Sequence, residues 1–351
     1  MTRGGWLEAI LGDAELAALM GEERQIAEML RVEAAYARAL GAAGVVTPEQ
    51  AETAASAIEA ARIDRARLAR DAAIDGMPVP SLSRQLREIV PEAARDAVHS
   101  GLTSQDVMDT AMLLTLREAL GVMETRLSRL LEALDALKAR FGAASLMGRT
   151  RMQAALPVGV AHRIDSWARP LETRADRLKD LQTRLFVLQL GGPVGTRESL
   201  GPEAPRIAAA MAEALGLAVA PHAWHTDRTA LAEVAFWLST LSGHLGKMGH
   251  DLALMAQQGV DAARIAGCGS SSAMAHKANP VRAEALVTLA RFNAVQMAGM
   301  QLALDHEQER SGASWALEWL ILPPMVEATG AGLLRAAGLL EDIEALGEGS
   351  R

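Results

Sequence analysis

A chain of 351 residues exceeds the ordinary single-domain length and can bury a large core, which excludes a marginal mini-fold that depends on staples. Half of the residues are hydrophobic, yet only 3% are aromatic and Ala and Leu dominate; this favours closely packed helices over sheet, so the expected fold class is all-α. The net charge of −8, with Lys and Arg interleaved among acids, leaves no basic stripe for nucleic acid, and the single cysteine excludes an internal disulfide framework or a thiolate metal cluster.

The opening stretch, MTRGGWLEAILGDAELAALM, carries Glu8, Asp13 and Glu15 within its apolar run and so reads as neither a signal peptide nor a membrane span. A cytoplasmic protein without a membrane partner is expected. Residues 6–75 read as short amphipathic helices with a break at GVVTPEQ (44–50), where Thr47 is placed to cap and Pro48 to open the next helix. The two prolines of DGMPVPS (75–81) predict an irregular segment, and Pro91 stops the helix that follows. The expected domains are an N-terminal helical unit over 1–95, a central helical bundle over 96–345 and a tail over 346–351.

The polar cluster HSGLTSQDVMDT (99–110) comes next. Thr103 and Asp106 have capping-box spacing, which accounts for helix initiation but not for His99, Ser104 and Gln105 beside them. From Leu113 the apolar positions Leu116, Leu120, Met123, Leu127, Leu130, Leu134 and Leu137 follow at alternating three- and four-residue steps, the seam of a long helix that needs partners. GRTRMQAALP (148–157) sets Arg149, Arg151 and Gln153 on alternate positions ahead of a proline, which suits a solvated charged turn as well as a binding segment. Proline-free runs at 171–190, 222–250 and 281–306 are each long enough for a major bundle helix, with GGPVGTRESLGPEAP (191–205) as the clearest loop. LSTLSGHLGKMGHDLALM (238–255) is apolar on more than one face, as in a central helix or one covered by other subunits.

In GCGSSSAMAHKANP (267–280) a Gly/Ser tract leads to Asn279, a good N-cap, and Pro280, suited to the first helical position. The loop is thereby delivered to the positive end of a helix, with His276 and Lys277 beside it. DHEQERSGASWALEWLILPP (305–324) crowds Glu307, Glu309, Arg310, Trp315, Glu318 and Trp319 together; Trp315 and Trp319, four apart, share a helix face. The eight histidines show no zinc-like spacing, so no metal is expected, and His162, His244 and His250 read as core or interface residues.

In this order the clusters resemble the fumarase/aspartase superfamily, whose signature loop reads GSSxMPxKxNP. SSSAMAHKANP (270–280) agrees at Ser271, Ser272, Met274, Lys277, Asn279 and Pro280, and departs at Ser270 and Ala275. HSGLTSQDVMDTA, LQLGGPVGTRESLG, WHTDR (224–228) and WALEWLILP (315–323) are similar to the 3-carboxy-cis,cis-muconate cycloisomerases within it, over roughly residues 75–345.

The resemblance implies an elongated bundle of long helices with a short or absent C-terminal domain, assembled as a homotetramer with shared active sites. It implies a small polycarboxylate substrate of protocatechuate breakdown and no cofactor. Ser271 matches the family's catalytic serine, with Lys277 as a second catalytic residue. His99, Thr103, Ser104, Gln105, Gln153, Ser272, Met274, Asn279 and Arg310 match substrate-holding positions. Many lyases of the superfamily carry a general-acid histidine where Arg151 stands. A guanidinium stays protonated, which argues for lactonisation over expulsion of an amine or hydroxide and makes Arg151 a carboxylate clamp. Adenylosuccinate-lyase-like elimination and an inactive helical scaffold are the alternatives.

Overall fold

The computed structural model describes residues 5–270, 274 and 277–348. Two short helices, α1 (Trp6–Leu11) and α2 (Ala14–Leu19), lead into α3 (Glu22–Ala43), which ends at Gly44 in the left-handed region. At 22 residues α3 is longer than the short helices read from the sequence, because its buried face runs unbroken through Met29, Glu33, Tyr36 and Leu40. Thr47 and Gln50 form the capping box of α4 (Pro48–Glu59), followed by α5 (Arg65–Asp75) and α6 (Val79–Ile89). The irregular segment expected over 75–81 is thus partly helical. Pro78 caps α6 and Pro80 occupies its first turn, where no backbone donor is needed.

A 3₁₀ turn over Glu92–Ala97 precedes α7 (Ser104–Phe141), whose 38 residues make a rod about 57 Å long. Its seam, Leu113 through Leu137, is buried as the spacing predicted. The chain then forms a hairpin of β1 (Ser145–Thr150) and β2 (Gln153–Gly159), with Thr150 opposite Gln153. Arg151 and Met152 are its two turn residues, both at positive φ (48° and 66°), the backbone of a hairpin turn whose twist matches its strands. The sequence reading found the turn but not its strands, because Arg-Met lacks the Asn-Gly signal that normally marks such a turn.

The chain continues through α8 (Val160–Leu185), α9 (Ala204–Leu215), which packs on α3, and the bundle helices α10 (Thr229–Met255), α11 (Val281–Leu302) and α12 (Gly312–Glu341). A two-stranded ribbon of β3 (Ala263–Ile265) and β4 (Ile343–Leu346) ties the segment before α11 to the end of α12. Helices α10 and α11 are antiparallel and approach closely: a side chain at Gly246 would sit 2.5 Å from the Ala290 methyl, and one at Gly249 2.6 Å from the Ala283 carbonyl. The starts of α7, α10 and α12 lie together, since Trp315 and Arg228 both reach Asp109, while α8 and α11 run the opposite way.

Two large cores result. One is the bundle core of α7, α8, α10, α11 and α12; the other joins α3, α4, α6 and the start of α7 to residues 188–217. Among the described residues no helix is long and apolar enough to cross a membrane. His162 and His250 are exposed and His244 half-buried, so none is a core residue of this chain.

Candidate active site

The start of α7 is a hub of buried polar groups. The Thr103 amide donates to Asp106 Oδ2 at 3.1 Å, closing the cap expected from the sequence. Asp106 is fully buried and also accepts from the Gly191 and Gly192 amides (2.7 and 2.9 Å) and contacts His225 Nε2 at 2.9 Å, so one carboxylate binds two distant loops to the helix. Beside it, Gln105 is buried and both ends of its amide are held: Nε2 donates to the His225 carbonyl (2.8 Å) and Oε1 accepts from Arg310 Nε (2.9 Å). Arg310 also donates to the Pro193 carbonyl at 3.2 Å. Gln105 therefore fixes the guanidinium plane of Arg310, while Thr103 and Ser104 stay half-buried next to it.

One turn further along α7, Asp109 takes Arg228 Nη1 at 2.6 Å and Nη2 at 3.1 Å, with Trp315 Nε1 at 2.9 Å and Gln189 Nε2 at 3.1 Å. Arg228 completes a second fork on Glu318, at 2.8 and 2.6 Å. Burial pushes the Asp109 carboxyl up, but the Arg228 charge and the hydrogen bonds from Arg228, Gln189 and Trp315 outweigh it and hold the group below the ordinary carboxylate range. Trp315 and Trp319 meet edge to face at 4.7 Å, as their spacing predicted.

The remaining candidates sit at the other end of the bundle. A cavity of about 530 Å³ is lined by Arg149, Arg151 and Arg163 together with Met147, Met152 and Gln257. Arg149, Arg151 and Gln153 are exposed on the hairpin. Asn279 pairs with Gly269 through two backbone hydrogen bonds (2.8 and 2.9 Å), and its side chain reaches the Ser270 carbonyl at 3.4 Å. It is not the N-cap of α11: the helix begins at Val281 with Pro280 at the cap, because the Asn279 backbone is held in that bridge. Met274 and Lys277 are exposed. Ser271 and Ser272 lie outside the described residues.

The candidates therefore form two groups, His99, Thr103, Ser104, Gln105 and Arg310 at one end and Arg151, Gln153, Met274, Lys277 and Asn279 at the other. From Gln105 to Phe141, just before the hairpin, α7 alone spans about 54 Å. Among the described residues no group of three or more His, Cys, Asp or Glu is placed to hold a metal ion.

A family described as lyase matches residues 14–295. The chain belongs to the fumarase/aspartase lyase superfamily. The match begins well before residue 75, where the resemblance in the sequence was first evident. Among its relatives, a 3-carboxy-cis,cis-muconate cycloisomerase of Pseudomonas aeruginosa is 38% identical over 340 residues, covering 94% of this chain and 73% of the relative. Among solved structures, the 3-carboxy-cis,cis-muconate lactonizing enzyme from Pseudomonas putida superposes with a TM-score of 0.90 at 34% identity, covering 97% of this chain and 77% of that one. A fumarate lyase from Mesorhizobium sp. BNC1 gives 0.89 at 28% identity, over 96% and 76%.

Within this lyase fold, sequence reasoning missed the buried charged and polar groups that hold the start of α7 to distant segments. Glu33, Asp109, Gln189 and Arg228 were not singled out as functional. A signal existed for two of them: Glu33 interrupts the apolar seam of α3, and Asp109 stands one turn beyond Gln105 on a helix otherwise committed to burial. A charge on a buried stripe needs a partner, and the partner is supplied from elsewhere in the chain.

Proposed function

We propose that the protein catalyses cofactor-free cycloisomerisation of 3-carboxy-cis,cis-muconate, or a close 3-substituted muconate, to a carboxymuconolactone in aromatic breakdown. The observation that carries this reading is Arg151 at the tip of the hairpin, where an elimination would want a titrating acid. Lactonisation needs none there: a substrate carboxylate oxygen bonds to one carbon of the conjugated double bond, and the only proton to be supplied goes to the neighbouring carbon. The names of the relatives support the same substrate class.

Ser271 delivers that proton and removes it in the reverse direction. Negative charge then accumulates on the carboxylate next to the reacting carbon, where Lys277, Asn279 and the positive end of α11 stabilise it. Arg310 and Arg151 take further carboxylates of the substrate, for which the guanidinium fork is suited.

The reading includes a homotetramer in the cytoplasm whose sites combine groups from different subunits. Two features support it. The two groups of candidates are separated by the length of α7, so neighbours in opposite orientation would bring unlike ends together. Phe236, Val295, Leu302 and Leu320 on the bundle helices are 56–73% exposed in the single chain, apolar surface of the kind that subunits cover.

Loss of muconate ultraviolet absorbance on adding the protein to 3-carboxy-cis,cis-muconate tests the activity, and no loss with it or with other 3-substituted muconates would refute the reading. Arg151→Ala is expected to raise KM about 10- to 100-fold, the loss of one charge-assisted contact, with a smaller change in kcat. An unchanged KM would exclude the clamp.

A further inference from the structure

The Glu33 side chain is fully buried, and among the described residues its one partner is His99, whose Nδ1 lies 2.5 Å from Glu33 Oε1. The second oxygen, Oε2, is buried with no hydrogen bond. A carboxylate taken out of water in this way must either be protonated or face a cation. The ring is held where this matters: His99 adopts φ 55°, a left-handed conformation uncommon for a side chain larger than glycine, and the next residue is anchored by a hydrogen bond from the Tyr36 hydroxyl to the Ser100 carbonyl. With Nδ1 committed to Glu33, Nε2 is the nitrogen left for a ligand. It is not among the buried atoms that lack a partner, and the side chain keeps 16% exposure.

We propose that Glu33 is a positioning residue that orients His99 and holds its imidazole cationic, so that Nε2–H meets a substrate carboxylate as a charged donor. This rests on the carboxylate-binding reading of His99. The charged and titratable groups around the ring are Glu33 and Tyr36 from α3, Arg87 from α6 and Asp106 from α7. Burial pulls the imidazole down, but the Glu33 charge and hydrogen bond, joined by the Asp106 charge, outweigh both burial and the repulsion from Arg87, and the group is held above its ordinary value. A neutral His99 would offer the same geometry without the charge, and a charged donor makes the stronger hydrogen bond to a carboxylate.

The test is titration of the His99 Cε1–H resonance in protein carrying ¹³C-labelled histidine, assigned by its absence in His99→Gln. The wild-type midpoint is expected above 6.5 and is expected to fall by about one pH unit or more in Glu33→Gln, which keeps the acceptor oxygen but not the charge. An unchanged midpoint overturns the proposal. Should Glu33→Gln fail to fold, Glu33→Asp carries the test, because it lengthens the contact and is expected to lower the midpoint by a smaller amount. In the muconate assay Glu33→Gln is expected to raise KM above pH 7 with little change in kcat, and to match the wild type at acid pH, where both imidazoles are protonated. A KM defect that persists unchanged across pH would point to simple misfolding of the site and overturn the charge argument. Absence of wild-type turnover would refute the proposed reaction, while the titration would still decide the role of Glu33.

Discussion

Ser271→Ala is expected to lower kcat for muconate cycloisomerisation by about 10³-fold or more, with KM little changed and thermal stability unaffected. A serine hydroxyl is a poor acid and a poor base, so it moves a proton to or from carbon only where its alkoxide is stabilised. The groups for that are local to the sequence: Lys277 and Asn279 follow within eight residues, and the positive end of α11 begins at Val281. Removing the hydroxyl leaves these donors and the substrate contacts in place, so binding survives while proton transfer does not. The measurement is a Michaelis profile at saturating substrate. Retention of more than about a tenth of kcat would show that another group carries the proton.

Arg228→Met is expected to lower folding stability by about 3–5 kcal/mol, a large share of the total of about 5–15 kcal/mol typical of a folded chain. Arg228 is 1% exposed and makes paired contacts to both Asp109 and Glu318, each equally buried, with its guanidinium 4.9 Å from the Trp224 ring centre. Without it, among the described residues, Asp109 keeps only the neutral donors of Gln189 and Trp315, and Glu318 only the buried His306 ring at 3.6 Å. The pH dependence should invert. In the wild type the depressed Asp109 contributes stability above the carboxylate range that is lost as pH falls through its folded value. In the variant the dominant remaining influence on Asp109 is burial, which raises it, so acidification from pH 7 should stabilise the protein. Urea unfolding at pH 7 and pH 5 checks both statements, and adding Asp109→Asn should recover part of the loss. A variant as stable as the wild type at pH 7 would mean that the network adds nothing to folding.

The same contrast between local and distant partners sets what could be read from the chain. Helix seams, the Thr47 and Thr103 caps and the long α7 were legible because they depend on neighbours three or four residues away. The start of α6 and the cap of α11 were misread at proline-containing junctions, where a helix can begin at, before or just after the proline and a contact elsewhere decides. The hairpin strands were missed because Arg-Met is an unusual pair at positive φ, tolerated where the strand pairing imposes it.

The amino-acid sequence by itself determined the all-α class, the helical rods and the motifs of a fumarase/aspartase lyase, since composition, periodicity and short motifs are properties of contiguous residues. Only the tertiary structure decided which charges meet. Arg228 finds Asp109 across 119 residues and Glu318 across 90, Gln105 finds Arg310 across 205, and Glu33 finds His99 across 66. Such pairs leave little trace in a linear pattern because the chain brings them together only after its cores have packed. Burial then makes those few contacts decisive, since a charge removed from water is tolerated only where its partner has arrived.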